Sequence, residues 1–143
     1  MKIIVACDHG GLLLKKALIP LIEKAGHTVV DIGANSDEAS DYPDWAHEVA
    51  KKVLSKEHDR GILICGTGVG MAISANRHAG IRAVNCSDTF TARLSRQHND
   101  SNVLCIGERV MGPGLGWEVV KTWLDEPTSN DERHVRRRSK IDL

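Results

Sequence analysis

The feature that most constrains how this chain can fold is a regular alternation of short, nearly continuous apolar runs with segments of helical spacing. The runs Lys2–Cys7, Thr28–Ile32, Gly61–Cys65, Arg82–Cys86 and Asn102–Ile106 suit strands covered on both faces, because a half-exposed strand would alternate apolar with polar residues. After each run the spacing predicts a helix, at about Leu12–Ala25, Trp45–Ser55, Val69–His78, Thr89–His98 and Leu115–Leu124. Such repetition specifies βα units and a mostly parallel sheet. Pro20 falls inside the first helix, where its missing N–H removes a hydrogen bond and predicts a kink.

The strand ends carry the chemistry. Asp8-His9 follows the first run, Gly33 the second, Cys65-Gly66 the third and Cys86-Ser87-Asp88 the fourth. Polar and reactive groups therefore collect at one edge of the sheet, outside the carboxyl ends of the strands, where open parallel sheets bind ligands. The third end is the most specific. In Gly66-Thr67-Gly68-Val69-Gly70 the glycines let successive N–H groups point into one concavity ahead of a helix, a cradle for a phosphate or an oxyanion. Cys65 at its mouth gains thiolate character and is a candidate base or nucleophile.

Spacing excludes several other readings of this loop. A dinucleotide fingerprint needs glycine where Met71 sits, and a P-loop needs a Gly-Lys-Ser/Thr ending. A nucleophile elbow needs glycine where Leu63 sits, and a thiol phosphatase needs arginine at the position of Met71.

Composition narrows the partners. With 19 Lys plus Arg against 19 Asp plus Glu there is no net field of the kind nucleic-acid binders use, and no stretch approaches membrane-spanning length. The apolar N-terminal run is cut off by Asp8-His9-Gly10-Gly11 before reaching the length of a signal sequence, so a cytoplasmic protein is expected. The four cysteines, Cys7, Cys65, Cys86 and Cys105, form no C-x-x-C pair, which fits reduced thiols rather than a zinc site. Cys7, Cys86 and Cys105 are expected in the core, and His27, His47, His58 and His78 are given no role.

Beyond Pro127 a basic segment follows. Ser129 and Glu132 have capping-box spacing for a terminal helix, and Arg133 and Arg137 then share a helical face suited to one phosphate. The same run also reads as a solvated basic helix end. Arg138 points elsewhere and is expected to contribute little.

Taken in order, Cys7-Asp8-His9-Gly10, Asp41-Tyr42-Pro43, Gly66-Thr67-Gly68-Val69-Gly70, Ser95-Arg96-Gln97-His98-Asn99 and Arg133-His134 resemble the type B ribose-5-phosphate isomerases, a family that includes allose-6-phosphate and galactose-6-phosphate isomerases. The resemblance runs from Lys2 to about Ile141. It implies a Rossmann-like, three-layer αβα sandwich around a five-stranded parallel sheet. One α/β domain would span residues 1–143, with a basic C-terminal helix at about 130–142. It also implies a homodimer, sometimes paired into tetramers, with each site assembled from two subunits, no metal and no organic cofactor.

Carried over residue by residue, the resemblance makes Cys65 the base that moves a proton between C1 and C2, Thr67 a hydroxyl partner near O1 and O2, and Gly66, Gly68, Val69 and Gly70 the anion hole. His98 would open the sugar ring with Asn99 holding hydroxyls, Asp8 would contact the sugar or the ring-opening site, and Tyr42 would line the pocket. His9, Arg109, Arg133 and Arg137 would hold the phosphate. A branch of the family carries a glutamate base further along the loop; here Ser74 and Ala75 stand there, which is the cysteine pattern.

The expected activity is interconversion of ribose 5-phosphate and ribulose 5-phosphate through an enediolate. The alternatives are a hexose 6-phosphate such as allose 6-phosphate, or a non-catalytic sugar-phosphate-binding protein. Binding alone would not need a thiol base, and the distance from anion hole to phosphate decides substrate length.

Overall fold

Each apolar run becomes a strand and each helical pattern a helix: β1 (Lys2–Cys7), α1 (Leu12–Lys24), β2 (Thr28–Asp31), α2 (Tyr42–Leu54), β3 (Arg60–Cys65), α3 (Val69–Ala75), β4 (Ala83–Asn85), α4 (Thr89–Asn99), β5 (Val103–Gly107), α5 (Pro113–Asp125) and α6 (Glu132–Arg138). The structure, a computed structural model, describes residues 1–142; Leu143, the last residue of the expected domain, lies outside the described residues. The strands form one sheet in the order β2-β1-β3-β5-β4, with every neighbouring pair parallel.

Alternate side chains of a buried strand face opposite ways, so the same strands supply two cores. Ile3, Val5, Ile62, Ile64, Leu104 and Ile106 pack beneath α1, α4 and α5, against Leu18, Ala92, Val120 and the fully buried Trp123. Ile4, Ala6, Leu63 and Cys105 pack on the other face against Ala46, Val49 and Ala50 of α2 and Met71 of α3. Each large side chain fully buried in this way stabilises the fold by about 1.5–3 kcal/mol. Helices therefore cover both faces, and the architecture is the expected Rossmann-like αβα sandwich on a five-stranded parallel sheet.

Three local expectations are corrected. Helix α2 starts at Tyr42 rather than Trp45, because Pro43 fits the first helical turn, where a missing N–H costs nothing. Helix α3 stops at Ala75 rather than His78. The amides of Arg77 and His78 turn to carbonyls three residues back, and Asn76 leaves the helix to exchange two 2.8 Å bonds with Ala83. The Ser129–Glu132 capping box does not form: α6 begins at Glu132 behind Asp131, and Ser129 Oγ accepts from the Asp131 amide at 3.2 Å. Arg138 donates its guanidinium to the Ser129 carbonyl at 2.9 Å. Helix α1 runs unbroken through Pro20, which leaves the Lys16 carbonyl without a helical donor.

Candidate active site

Strand order reverses between β1 and β3, and a crevice opens beyond the carboxyl ends of such a pair. Both reactive strand ends meet there. Past β1 the Asp8 amide donates to the Ile64 carbonyl at 3.2 Å, and its buried carboxylate accepts the Gly10 amide at 2.9 Å. The fit at Gly10 is tight, because a Cβ there would sit 3.3 Å from both Asp8 Oδ1 and the Gly66 amide nitrogen. Past β3 the loop turns so tightly that the Gly68 N–H donates to Cys65 Sγ at 3.1 Å. That turn requires the left-handed φ of +83° at Gly68, a conformation glycine adopts without strain.

Cys65 is only 5% exposed, and its sulfur accepts that one backbone N–H. The other three cysteines differ. Burial pushes the Cys7 and Cys86 thiols up to about 11 and holds Cys105 well above its ordinary value, so they remain protonated core groups.

Other expected residues gather around this loop. Thr67 Oγ1 accepts the Val69 amide at 3.3 Å. The Tyr42 ring lies over Gly70, where a Cβ would come within 2.6 Å of it. Arg109 covers Gly66: its amide donates to the Gly66 carbonyl at 3.0 Å, and its guanidinium would lie 3.2 Å from a Cβ placed there. His9 Nδ1 accepts the Ser40 amide at 3.3 Å, so its proton sits on Nε2. Asp8, His9, Tyr42, Cys65, Gly66, Thr67, Gly68, Val69, Gly70 and Arg109 thus share one edge of the sheet.

His98, Asn99, Arg133 and Arg137 do not join them within the chain. Helix α4 runs back along the sheet, and the residues just past Asn99 meet the beginnings of strands: Asn102 accepts the Gly61 amide and donates to the Arg82 carbonyl. Six-residue β3 separates those beginnings from Cys65 by about 16 Å. The C-terminal segment docks at the same far end, where the Ser129 amide donates to the Gln97 carbonyl at 3.1 Å. Here an open cavity of about 300 Å³ is lined by His98, Thr128, Ser129, Arg133 and His134 among others.

His134, which adjoins Arg133 in one of the quoted motifs, also belongs to this edge. It is buried against His98, with ring centroids 4.3 Å apart, and its Nε2 accepts from Arg133 Nε at 3.1 Å. Burial, with the nearby His98 and Arg133, holds His134 below the ordinary imidazole value, so it stacks on His98 as a neutral ring.

One edge thus carries a buried thiol beside a glycine loop, and the other an imidazole pair beside the arginines of α6. The ribose/galactose isomerase family model matches residues 3–141. The chain belongs to that family. It is 51% identical to ribose-5-phosphate isomerase B of Escherichia coli over 123 residues, covering 86% of this chain and 83% of the relative. It is 39% identical to D-erythrulose-4-phosphate isomerase of Pectobacterium atrosepticum over 126 residues, covering 87% and 83%. The solved structure of ribose-5-phosphate isomerase B from Clostridium thermocellum superposes with a TM-score of 0.95 at 47% identity, covering 99% of this chain and 95% of that one. This family member is an isomerase. Among the described residues, no helix is long and apolar enough to cross a membrane, and no three His, Cys, Asp or Glu side chains are grouped to hold a metal ion.

Proposed function

We propose that the chain interconverts ribose 5-phosphate and ribulose 5-phosphate, and that it does so as a homodimer whose two sites each draw on both subunits. The carrying observation is the separation just described. Base and anion hole lie at one sheet edge and the ring-opening and phosphate groups at the other, so a two-fold pairing that brings unlike edges together completes two sites at once. The 51% identity to an enzyme named ribose-5-phosphate isomerase B supports the pentose substrate. The relative that acts on D-erythrulose 4-phosphate keeps other chain lengths open to the test.

In this reading His98 and Asn99 of one subunit open the furanose by moving a proton between O1 and the ring oxygen. The Cys65 thiolate of the other removes the C2 proton, and electrons flow to O1. Cradle N–H groups stabilise the enediolate that forms. Cys65 returns the proton to C1 while the Thr67 hydroxyl passes a proton from O2 to O1, giving the ketose. Asp8 and Tyr42 position the sugar. His9, donating through Nε2, and Arg109 meet the phosphate together with Arg133 and Arg137 of the second subunit. No cofactor or metal enters this scheme. Four free thiols, Cys65 among them, suit a reducing compartment, and we place the protein in the cytoplasm.

Steady-state assays on ribose, allose and galactose phosphates test the substrate; turnover of a hexose phosphate without ribose 5-phosphate would replace the pentose reading. Cys65→Ala should lower kcat about 10²–10⁴-fold or more while phosphosugar binding persists. Mixing Cys65→Ala with His98→Asn under subunit exchange should restore about a quarter of wild-type activity, since half the dimers are mixed and each has one intact site. No recovery under demonstrated exchange would sink the shared site.

A further inference from the structure

We propose that Asn85, on the short edge strand β4, is a positioning residue for the thiol base: it holds the Thr67–Gly68 peptide in the orientation that aims the Gly68 N–H at Cys65 Sγ. This rests on the reading of Cys65 as the base. Asn85 Nδ2 donates to the Thr67 carbonyl at 2.9 Å, and the Gly68 N–H donates to Cys65 Sγ at 3.1 Å. Those two bonds use the two ends of one planar unit. In a trans peptide the C=O and N–H point to opposite sides, so fixing the oxygen fixes the direction of the hydrogen. A carbonyl that accepts a bond also polarises its own N–H into a better donor.

The assignment of the Asn85 amide follows from its partner. A carbonyl oxygen only accepts, so the nitrogen must face it. Asn85 is the only donor to the Thr67 oxygen among the described residues. The rest of the loop is tied down independently of Asn85. The Glu108 amide holds the Cys65 carbonyl at 2.9 Å, the Arg109 amide holds that of Gly66 at 3.0 Å, and the Ala72 amide holds that of Gly68 at 3.1 Å. The Thr67–Gly68 peptide is the unit those ties leave free to rotate. Gly68 adds to the case: a Cβ there would fall 2.5 Å from Asn85 Nδ2, so the left-handed glycine makes room for the Asn85 amide to reach the backbone. Asn85 itself is placed by its register opposite Cys105.

Its effect is therefore on the charge state and aim of the base rather than on substrate affinity. Asn85→Ala removes the donor, and Asn85→Asp sets a carboxylate against both the Thr67 oxygen and the thiolate. The experiment measures Cys65 alkylation by iodoacetamide against pH, read by mass spectrometry on the Cys65 peptide, beside kcat and KM for ribose 5-phosphate. Asn85→Ala should move the alkylation midpoint to higher pH and lower kcat about tenfold with KM little changed, and Asn85→Asp should move both further. A midpoint and kcat unchanged in both variants would overturn the proposal, as would a loss confined to KM. The alkylation midpoint reads the coupling of Asn85 to the thiol whether or not the thiol is the base. Failure of the base reading appears separately, as turnover surviving in Cys65→Ala.

Discussion

Gly107, the last residue of β5, gives the sharpest test of how rigidly the cradle is seated. A Cβ at this position would lie 2.5 Å from Thr67 Cα and 2.6 Å from the Thr67 carbonyl carbon, with the Gly66 oxygen at 2.8 Å. These are backbone atoms and cannot rotate aside. To reach ordinary contact near 3.4 Å, the backbone at Thr67 has to retreat by about 0.9 Å. Gly107 is not among the glycines of positive φ, so Gly107→Ala adds a steric load without conformational strain. Overpacking of this kind costs about 1–3 kcal/mol, and misplacing a reacting group by about 1 Å costs on the order of 10²-fold in rate. Gly107→Ala should therefore lower kcat/KM for ribose 5-phosphate about 10²-fold and reduce Tm by several degrees. Gly114→Ala is the control: nothing lies within 4 Å of its Cβ, it sits in α5, and it should keep full activity with slightly higher stability. Wild-type kcat/KM and Tm in Gly107→Ala would refute the reasoning, because the loop would then have to give way at no cost.

The remaining predictions concern the far edge of the sheet. His98→Asn should impair turnover of cyclic aldose phosphate more than exchange of the C2 proton in an open-chain substrate; equal losses would remove His98 from ring opening. Arg137→Ala should raise KM by one to two decades, since a hydrogen bond to a charged group contributes about 1.5–3 kcal/mol. Arg138→Ala should instead loosen the C-terminal segment through loss of the Ser129 bond, seen as faster proteolysis beyond Pro127 and not as a selective KM effect. Burial alone would raise the Asp100 carboxyl, but Thr128, Arg96 and Arg82 outweigh it and hold the group below its ordinary 3.8. A depressed folded value means the stabilisation is present above pH about 4 and is lost as pH falls through the folded value. Asp100→Asn, which keeps the left-handed φ of 49° accessible, should lower stability at neutral pH and flatten the acid limb of urea-unfolding midpoints; an unchanged limb would contradict this.

Strand positions were legible because buried parallel strands are written as unbroken apolar runs, and the runs ending at Cys7 and Cys65 ended there in the structure. Helix ends were less legible, because competing bonds decide them: Asn76 abandons α3 for Ala83, and Ser129 turns to Asp131 instead of capping α6. Neither bond has a local signature. Asn85 was invisible for a related reason. It is one polar residue closing a three-residue strand, and its meaning comes from a carbonyl 18 positions away. His134 had a sequence signal in its adjacency to Arg133, but its burial against His98 depends on how the segment after Pro127 folds back onto α4.

The proposal of a shared site rests on the polarity of the fold. In a βα unit the helix returns antiparallel to its strand, so a residue at the end of a strand and one at the end of a helix lie at opposite edges of the sheet. Cys65 ends β3, whereas His98 and Asn99 end α4. The arginines of α6 stay with α4, because the segment that carries them is tied back to Gln97 and closed by Arg138. Within one chain, then, Cys65 and its glycine loop do not face His98, and His98 stacked on neutral His134 does not face Cys65. Moving either group across the sheet would mean breaking the β3–β5 ladder that aligns Cys65 with Gly107 or the Arg96–Asp100 contacts that end α4. In the proposed dimer a second copy of the chain would bring the other half without disturbing either, which is why activity restored by subunit exchange tests the reading of the fold as directly as it tests the chemistry.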